Sequence, residues 1–342
     1  MVGIEHLKSG LSICSHIGCN NGCVYCVLSQ MHEFKGEPKL IINPDSLVAQ
    51  LTTKECLYHK ATTPLIINNR TEPFLNSTKS ATYAILDELI THNVSNPILI
   101  ISKLCLDDTI KQYFSKLNIA ILYSYSNVNS DINYTHFKKD ITILKQHIPS
   151  ESLFHYFRPI IPNINDNLQD IYNVLDIFRL SGFAGSIVSG FRITESNKRL
   201  LRYSTENIDR THKFVDNNLY DFVWDFSENF SYPIFRHTSC IVGLLRKERN
   251  MLGYFNKKYH CNKFCPNVKQ CNTHNVYDSK VIEQELNQKF GSDLIFTINS
   301  NEMKISSPVS QEITAYIKNA YGIPVKADTV ILSPSEKILT DE

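Results

Sequence analysis

The chain has no apolar run long enough to span a membrane, and its opening stretch MVGIEHLKSG lacks an apolar core of the signal-peptide kind. It has no surplus of either charge, because 35 Lys and Arg stand against 34 Asp and Glu, leaving a formal net charge of +1. Proteins that live on nucleic acid usually show a basic excess, and none is present overall. The local runs Arg246-Lys247-Glu248-Arg249 and Lys257-Lys258 are the exceptions, and each reads first as a solvated helix face. There is no internal repeat, no low-complexity run, no P-loop and no dinucleotide fingerprint, which removes repeat architectures and the common phosphate cradles. Cysteine, by contrast, is plentiful: ten among 342 residues. Without a secretory signal, that number points to a reducing compartment where thiols stay free for metal, so a cytoplasmic protein with no membrane contact is expected.

Three of the cysteines form the tightest constellation in the chain. Cys19-Asn20-Asn21-Gly22-Cys23-Val24-Tyr25-Cys26 has the spacing C-x3-C-x2-C with an aromatic residue before the last thiol. Three neighbouring thiolates cannot close into even disulfide pairs, but they can hold three irons of a cubane and leave the fourth without a protein ligand. A zinc clip is the alternative, with His16 as a fourth ligand, although structural zinc usually draws on two separated pairs.

The rest of the first 195 residues alternates short apolar runs with helical patterns. Strands are expected at 11–17, 64–69, 97–102, 118–126, 151–161 and 185–191. Helices are expected at 44–59, 79–91, 107–117, 135–147 and 168–180 between them. Such alternation predicts βα units around a parallel sheet, six strands falling short of a complete eight-strand barrel. Functional groups in this architecture gather at the C-terminal strand ends, and the cysteine loop follows the first strand at that end.

Motif and topology together resemble the radical SAM superfamily. The resemblance implies a partial (β/α)6 barrel and a [4Fe-4S] cluster on Cys19, Cys23 and Cys26, whose open iron is chelated by the amino and carboxylate groups of S-adenosylmethionine (SAM). It also implies reductive cleavage to a 5′-deoxyadenosyl radical, hydrogen abstraction from a bound substrate, and a reductant partner such as flavodoxin or ferredoxin. After the second strand many members carry Gly-Gly-Glu. This chain has Asn69-Arg70-Thr71-Glu72-Pro73-Phe74, which is similar to the turn of spore photoproduct lyase and DNA-repair photolyase-like members. Ser102-Lys103 and Arg158-Pro159-Ile160-Ile161-Pro162-Asn163-Ile164-Asn165-Asp166 extend that likeness. In the roles so implied, Glu72 accepts from the SAM ammonium, Arg158 pairs with its carboxylate, Ser102 and Ser124 reach ribose hydroxyls, and Tyr25 holds the adenine. The plainer readings are that Glu72 and Asp166 cap the segments after their turns and that Arg158 is a structural ion-pair partner.

A second set, Cys240, Cys261, Cys265 and Cys271, has spacings x20, x3 and x5, and Pro266 follows its cysteine as in ferredoxin-type runs. Four thiols complete a ligand set, read as an auxiliary [4Fe-4S] cluster with zinc as the alternative and His237, His260 and His274 as competing ligands. Cys56 and Cys105 read as small buried hydrophobes, whereas Cys14, near the strand end, reads as a candidate hydrogen donor. The expected organisation is a radical SAM partial barrel over 1–195, a helical, cysteine-rich region over 196–278 and a small α+β cap over 279–342. A nucleic acid or nucleotide-derived substrate follows from the resemblance, and a peptide or protein substrate suits the neutral charge. A non-catalytic iron–sulfur electron carrier or a zinc-stabilised binding module is the reading from another class.

Overall fold

A computed structural model describes residues 2–7, 9–26, 28, 36–53, 55–129, 131–191, 217–250, 264–272, 278–299 and 302–331. Its centre is one eight-stranded sheet whose spatial order follows chain order. The strands are β1 (Ile4–Leu7), β2 (Gly10–Ile13), β3 (Leu65–Ile67), β4 (Ile98–Ser102), β5 (Ile119–Ser124), β6 (Leu153–Ile160), β7 (Ser186–Gly190) and β8 (Ile234–Phe235). Strands β2 to β8 run parallel, and β1 is an antiparallel hairpin partner of β2. Among the described residues no pairing joins β1 to β8, so the sheet is open.

The connections are the helices that parallel pairing demands. They are α1 (Pro44–Gln50), α2 (Lys79–Thr91), a 3-10 turn at Asp108–Tyr113, α3 (Phe137–His147), α4 (Leu168–Leu180) and α5 (Asn217–Phe230). Helix α4 shows why they form. The Asn167 side chain accepts from the backbone of Gln169 and Asp170 at 2.9 and 3.3 Å, capping the first turn, and Ile171, Val174, Leu175 and Phe178 bury one stripe. Strand alternation then sorts the core. Ile98, Ile100, Ile119, Ile121, Leu153 and Phe157 meet the helices, whereas Leu99, Ala120, Leu122, Phe154 and Ile187 line the opposite face. Helix α6 (Thr238–Arg246) covers that second face with Ile241 and Val242. Both faces of the parallel sheet are therefore buried, which explains its near-continuous Ile, Leu and Val runs.

The expected strands and helices fall where the sequence pattern places them, apart from local differences in one strand and two helices. The first strand ends at Ile13; the Cys14 N–H still bonds the Gly3 carbonyl at 2.7 Å in the register of the hairpin, and His16-Ile17 pairs with Lys39-Leu40. The helix expected over 44–59 stops at Gln50, and the one expected over 107–117 is a 3-10 turn capped by Asp107. β1 and β8 are additions to the six expected strands. β8 enters where Gly185 lets Pro233 approach, since a Cβ there would sit 2.6 Å from the Pro233 carbonyl oxygen.

The expected boundary at 195/196 lies outside the described residues. Beyond it, α5 packs on the main core and β8 extends the main sheet. The C-terminal part has its own core, built by α8 (Ser279–Phe290), β9 (Phe296–Ile298), β10 (Met303–Ile305), α9 (Gln311–Tyr321) and β11 (Val325–Ala327). Arg246 ties α6 to both neighbours, donating to the carbonyls of Thr62 and Asn319 at 3.2 and 2.8 Å. No helix among the described residues is long and apolar enough to cross a membrane.

Candidate active site

Because β2 to β7 are parallel, their C-terminal ends meet at one edge, and the cysteine loop leaves β2 there. Gly18 and Gly22 have φ of +101° and +65°, and a Cβ on Gly18 would sit 3.2 Å from the Glu37 carbonyl oxygen. Asn20 Nδ2 donates to Glu37 Oε1 at 2.7 Å, and Cys26 N–H closes on the Cys23 carbonyl at 3.1 Å. At the loop's base, Asn68, with φ of +48°, accepts from Ser15 N–H at 2.9 Å and donates to Thr82 Oγ1 at 2.8 Å. One amide thus ties the root of the cysteine loop to α2.

A cleft of about 850 Å³ opens beside the loop. Cys19, Cys23 and Cys26 line one wall, and Asn69 to Glu72, Ile101 to Lys103 and Ser124 line the other. Burial pushes the Cys19 thiol up and the Cys23 thiol up to about 12, so bare thiolates are disfavoured until a cation compensates them. No three His, Cys, Asp or Glu side chains among the described residues converge on a point that would hold a single metal ion. A cubane makes a different demand, because its cysteines bind separate corners, and three partly buried thiols facing one cleft match that donor set.

Glu72 is 5% exposed, and burial pushes its carboxyl up. It accepts from Ser102 Oγ at 2.5 Å, from Lys103 N–H at 2.9 Å and from Phe74 N–H at 3.4 Å. Ser102 and Glu72 therefore hold one another at the cleft wall, and Ser124 lines it from β5. Tyr25 lies beneath the loop, with its ring packed on Val128, Ile161 and Phe191 and its hydroxyl donating to Asp131 at 2.7 and 2.8 Å. Arg158 is on the sheet face that carries Ile101 and Ser124, where its Nη1 donates to the Tyr156 hydroxyl at 2.8 Å. It is not among the described residues lining the cleft. Cys14 is fully buried, bonded to Asn69 Oδ1 at 3.3 Å and next to Ser12 Oγ at 3.4 Å.

Two residues without an assigned role join the site. Lys103 lines the cleft, and its Nζ contacts the Tyr25 hydroxyl and pairs with Asp131 Oδ2 at 3.1 Å. Asp131 is fully buried at its side chain, so it is the anchor for both. Lys103 was visible in the Ser-Lys strand end, whereas Asp131, far along the chain in a polar loop, carried no signal.

In the second cysteine set, Cys240 is in the first turn of α6, and Cys265 and Cys271 flank or lie in α7 (Val268–Asn272). Cys261, His260 and His274 lie outside the described residues. Asn250 links two of the thiols, its side-chain Nδ2 donating to Cys240 Sγ at 3.1 Å and its backbone N–H to Cys271 Sγ at 3.4 Å. Cys240 and Cys265 pack against the interior cluster that Ile101 and Tyr156 also reach. His237 precedes α6, and its carbonyl accepts from Cys240 N–H at 2.9 Å.

No protein-family model matches the chain, and neither does any curated protein. Solved structures do match. A point mutant of spore photoproduct lyase aligns with a TM-score of 0.52 at 13% identity, covering 69% of this chain and 79% of that one. A double mutant with bound AdoMet and dinucleoside spore photoproduct aligns with a TM-score of 0.50 at 12% identity, covering 68% and 78%. Spore photoproduct lyase complexed with dinucleoside spore photoproduct aligns equally well, with the same coverage. At such identity the shared property is the fold: a mixed α/β chain on a parallel sheet.

Proposed function

We propose that the protein is a radical SAM enzyme on a partial (β/α)6 barrel, with a [4Fe-4S] cluster held by Cys19, Cys23 and Cys26 and SAM in the adjoining cleft. The observation that carries this reading is the placement of the three thiols at the C-terminal end of β2, facing a cleft walled by the ends of β3, β4 and β5. When bound, the cluster would supply the electron that cleaves the SAM sulfonium, the step that leads to hydrogen-atom removal from a substrate carbon. A flavodoxin or ferredoxin would serve as reductant.

The chain's own groups supply position and charge. Glu72, fixed by Ser102 and the Lys103 backbone, offers a carboxylate to the SAM ammonium. Ser102 and Ser124 face the ribose. Arg158, on the same sheet face as Ser124, is assigned to the SAM carboxylate. Tyr25 lies next to the last cysteine and holds the adenine side of the loop through its backbone, its hydroxyl being taken by Asp131.

The substrate is assigned as nucleic acid or nucleotide-derived, in line with the dinucleoside bound by the neighbouring structure. A peptide or protein substrate is favoured instead by the formal charge of +1. Cys240, Cys261, Cys265 and Cys271 are assigned to an auxiliary [4Fe-4S] cluster, with zinc as the other occupant. Its support is that Cys240 and Cys265 pack on the interior cluster shared with Ile101, a cleft-lining residue, which suits electron exchange with the substrate pocket.

The test is anaerobic reconstitution with iron and sulfide, followed by metal analysis and EPR of the reduced protein with and without SAM. About eight irons per chain and a SAM-altered signal are expected. About four irons with zinc would keep the enzyme and make the C-terminal site structural. A reconstituted protein with no SAM-sensitive signal and no 5′-deoxyadenosine would leave the electron carrier or the binding module as the reading.

A further inference from the structure

The second cysteine set has an organised surround that no ligand count explains. Asn250 is 3% exposed. Its side-chain amide donates to Cys240 Sγ at 3.1 Å and to Ser239 Oγ at 3.0 Å, while its backbone N–H donates to Cys271 Sγ at 3.4 Å. Ser239 Oγ also lies 3.3 Å from Asn250 Oδ1, so the hydroxyl holds the amide at both of its ends. The adjacent Arg249 is also 3% exposed. A neutral thiol is a weak acceptor, and N–H donors and a desolvated cation gain most from a sulfur that carries negative charge. Two buried donors directed at two sulfurs, beside a buried guanidinium, form an environment for metal thiolates.

We propose that Asn250 is a positioning residue for the second cysteine site, whose side-chain hydrogen bond stabilises the metal-bound thiolate of Cys240 and raises the reduction potential of the group held there. This rests on the reading of the C-terminal cysteines as metal ligands. Hydrogen bonds to cluster sulfurs favour the more negative, reduced state, and outer partners of this kind also strengthen metal retention. Cys240, with the segment that carries Asn250, is thereby tuned from one position just past the end of α6.

The experiment uses the full chain with Cys19, Cys23 and Cys26 all changed to Ala, reconstituted anaerobically, so that any cluster signal arises from the C-terminal set. Asn250→Asp keeps the side-chain shape, deletes the amide donor and adds negative charge. Ser239→Ala frees the amide without touching it and serves as the second variant. Folding of each is verified by circular dichroism. The expected result is a midpoint shift to lower potential, worth about tenfold in the reduction equilibrium or about 59 mV for one electron, larger for Asn250→Asp than for Ser239→Ala. If the metal is zinc, the expected result is about 10- to 100-fold easier loss to a chelator. Folded variants with unchanged potential and unchanged retention would overturn the role of Asn250 while leaving the second site standing. Neither iron nor zinc in the triple-alanine chain would overturn the second site, and this role with it.

Discussion

Replacing Glu72 with Gln separates what this residue does for the fold from the SAM contact proposed for it. The carboxylate is buried, and desolvation raises its pKa against the opposing influence of its donors. A carboxyl raised in the folded state takes up a proton more readily than in the unfolded chain, so its contribution to stability falls as pH rises through its folded value. Carrying the charge in this site therefore has a cost, which a neutral amide does not have. The pocket accepts the amide: Oε1 of Gln takes the Lys103 N–H, and its NH₂ donates to Ser102 Oγ, whose hydrogen turns to the Leu104 carbonyl at 3.1 Å. Only the long 3.4 Å contact from Phe74 N–H is given up. The thermal midpoint of Glu72→Gln at pH 7.5 is therefore expected to equal or exceed that of the unaltered protein. A hydrogen bond to a charged group is worth about 1.5–3 kcal/mol, so losing the ammonium contact should weaken SAM by about 10- to 150-fold. Anaerobic titration calorimetry with SAM reads the second quantity and differential scanning calorimetry the first. Undiminished SAM affinity in the folded variant would remove Glu72 from the ammonium, and a large drop in midpoint would make the residue a structural cap.

Arg158→Ala should weaken SAM by about tenfold, the worth of about 1.4 kcal/mol; full affinity would leave its guanidinium to Tyr156 alone. Asp131→Asn strands the Lys103 charge in a site where the two side chains are 10% and 0% exposed, so urea unfolding should show a loss of about 3 kcal/mol. Iron uptake by the cysteine loop should fall with it, and a loss below 1 kcal/mol would mean that Lys103 has other support. Burial lowers His155 to about 3 and His6 to about 4, the latter assisted by Lys289. The unfolded chain protonates these groups below about 6.5 while the folded chain does not, so stability should fall as pH drops from 6.5 towards 4. For His155 alone the loss between pH 6.5 and 5 is about 2 kcal/mol. A stability profile flat across that window would contradict it.

The strands were legible because both faces of the sheet are covered. Runs such as Ile98-Leu99-Ile100-Ile101 must be apolar on every side chain, and a short continuous run between turn signals is the mark of that burial. β1 and β8 escaped the same logic for opposite reasons. Ile4-Glu5-His6-Leu7 is an edge hairpin that mixes charge with apolar residues, and β8 is two residues long, defined by what it pairs with. Helix ends were the weakest part of the pattern. Past Gln50 the segment 51–59 keeps apolar residues at helical spacing, yet Leu51 and Cys56 are buried through a turn, and Tyr58 bonds the Asn96 side chain instead of continuing the helix.

The site divides along the same line. The placement of groups confined to one short segment, such as the cysteine loop or the Thr71-Glu72-Pro73 turn, can be read from spacing because neighbours in sequence are neighbours in space. Chemistry assembled across strands cannot. Tyr25 is an instance: its position in the motif suggests a ligand contact, but a phenol next to a buried carboxylate 106 residues away donates to that carboxylate. The Lys103 ammonium then closes the triangle, because a fully buried Asp131 needs a cation as well as a hydroxyl. The consequence is mechanical. The loop that carries Cys23 and Cys26 is braced by Tyr25 against β4 and the segment after β5, so its shape depends on a charge pair on the opposite wall of the cleft. Tyr25→Phe keeps the packing on Val128, Ile161 and Phe191 and removes only the hydroxyl. It should therefore cost about 1.5–3 kcal/mol of stability, the worth of a hydrogen bond to a charged group, and lower iron uptake by the loop; unchanged stability and uptake would mean that the hydroxyl does not brace it.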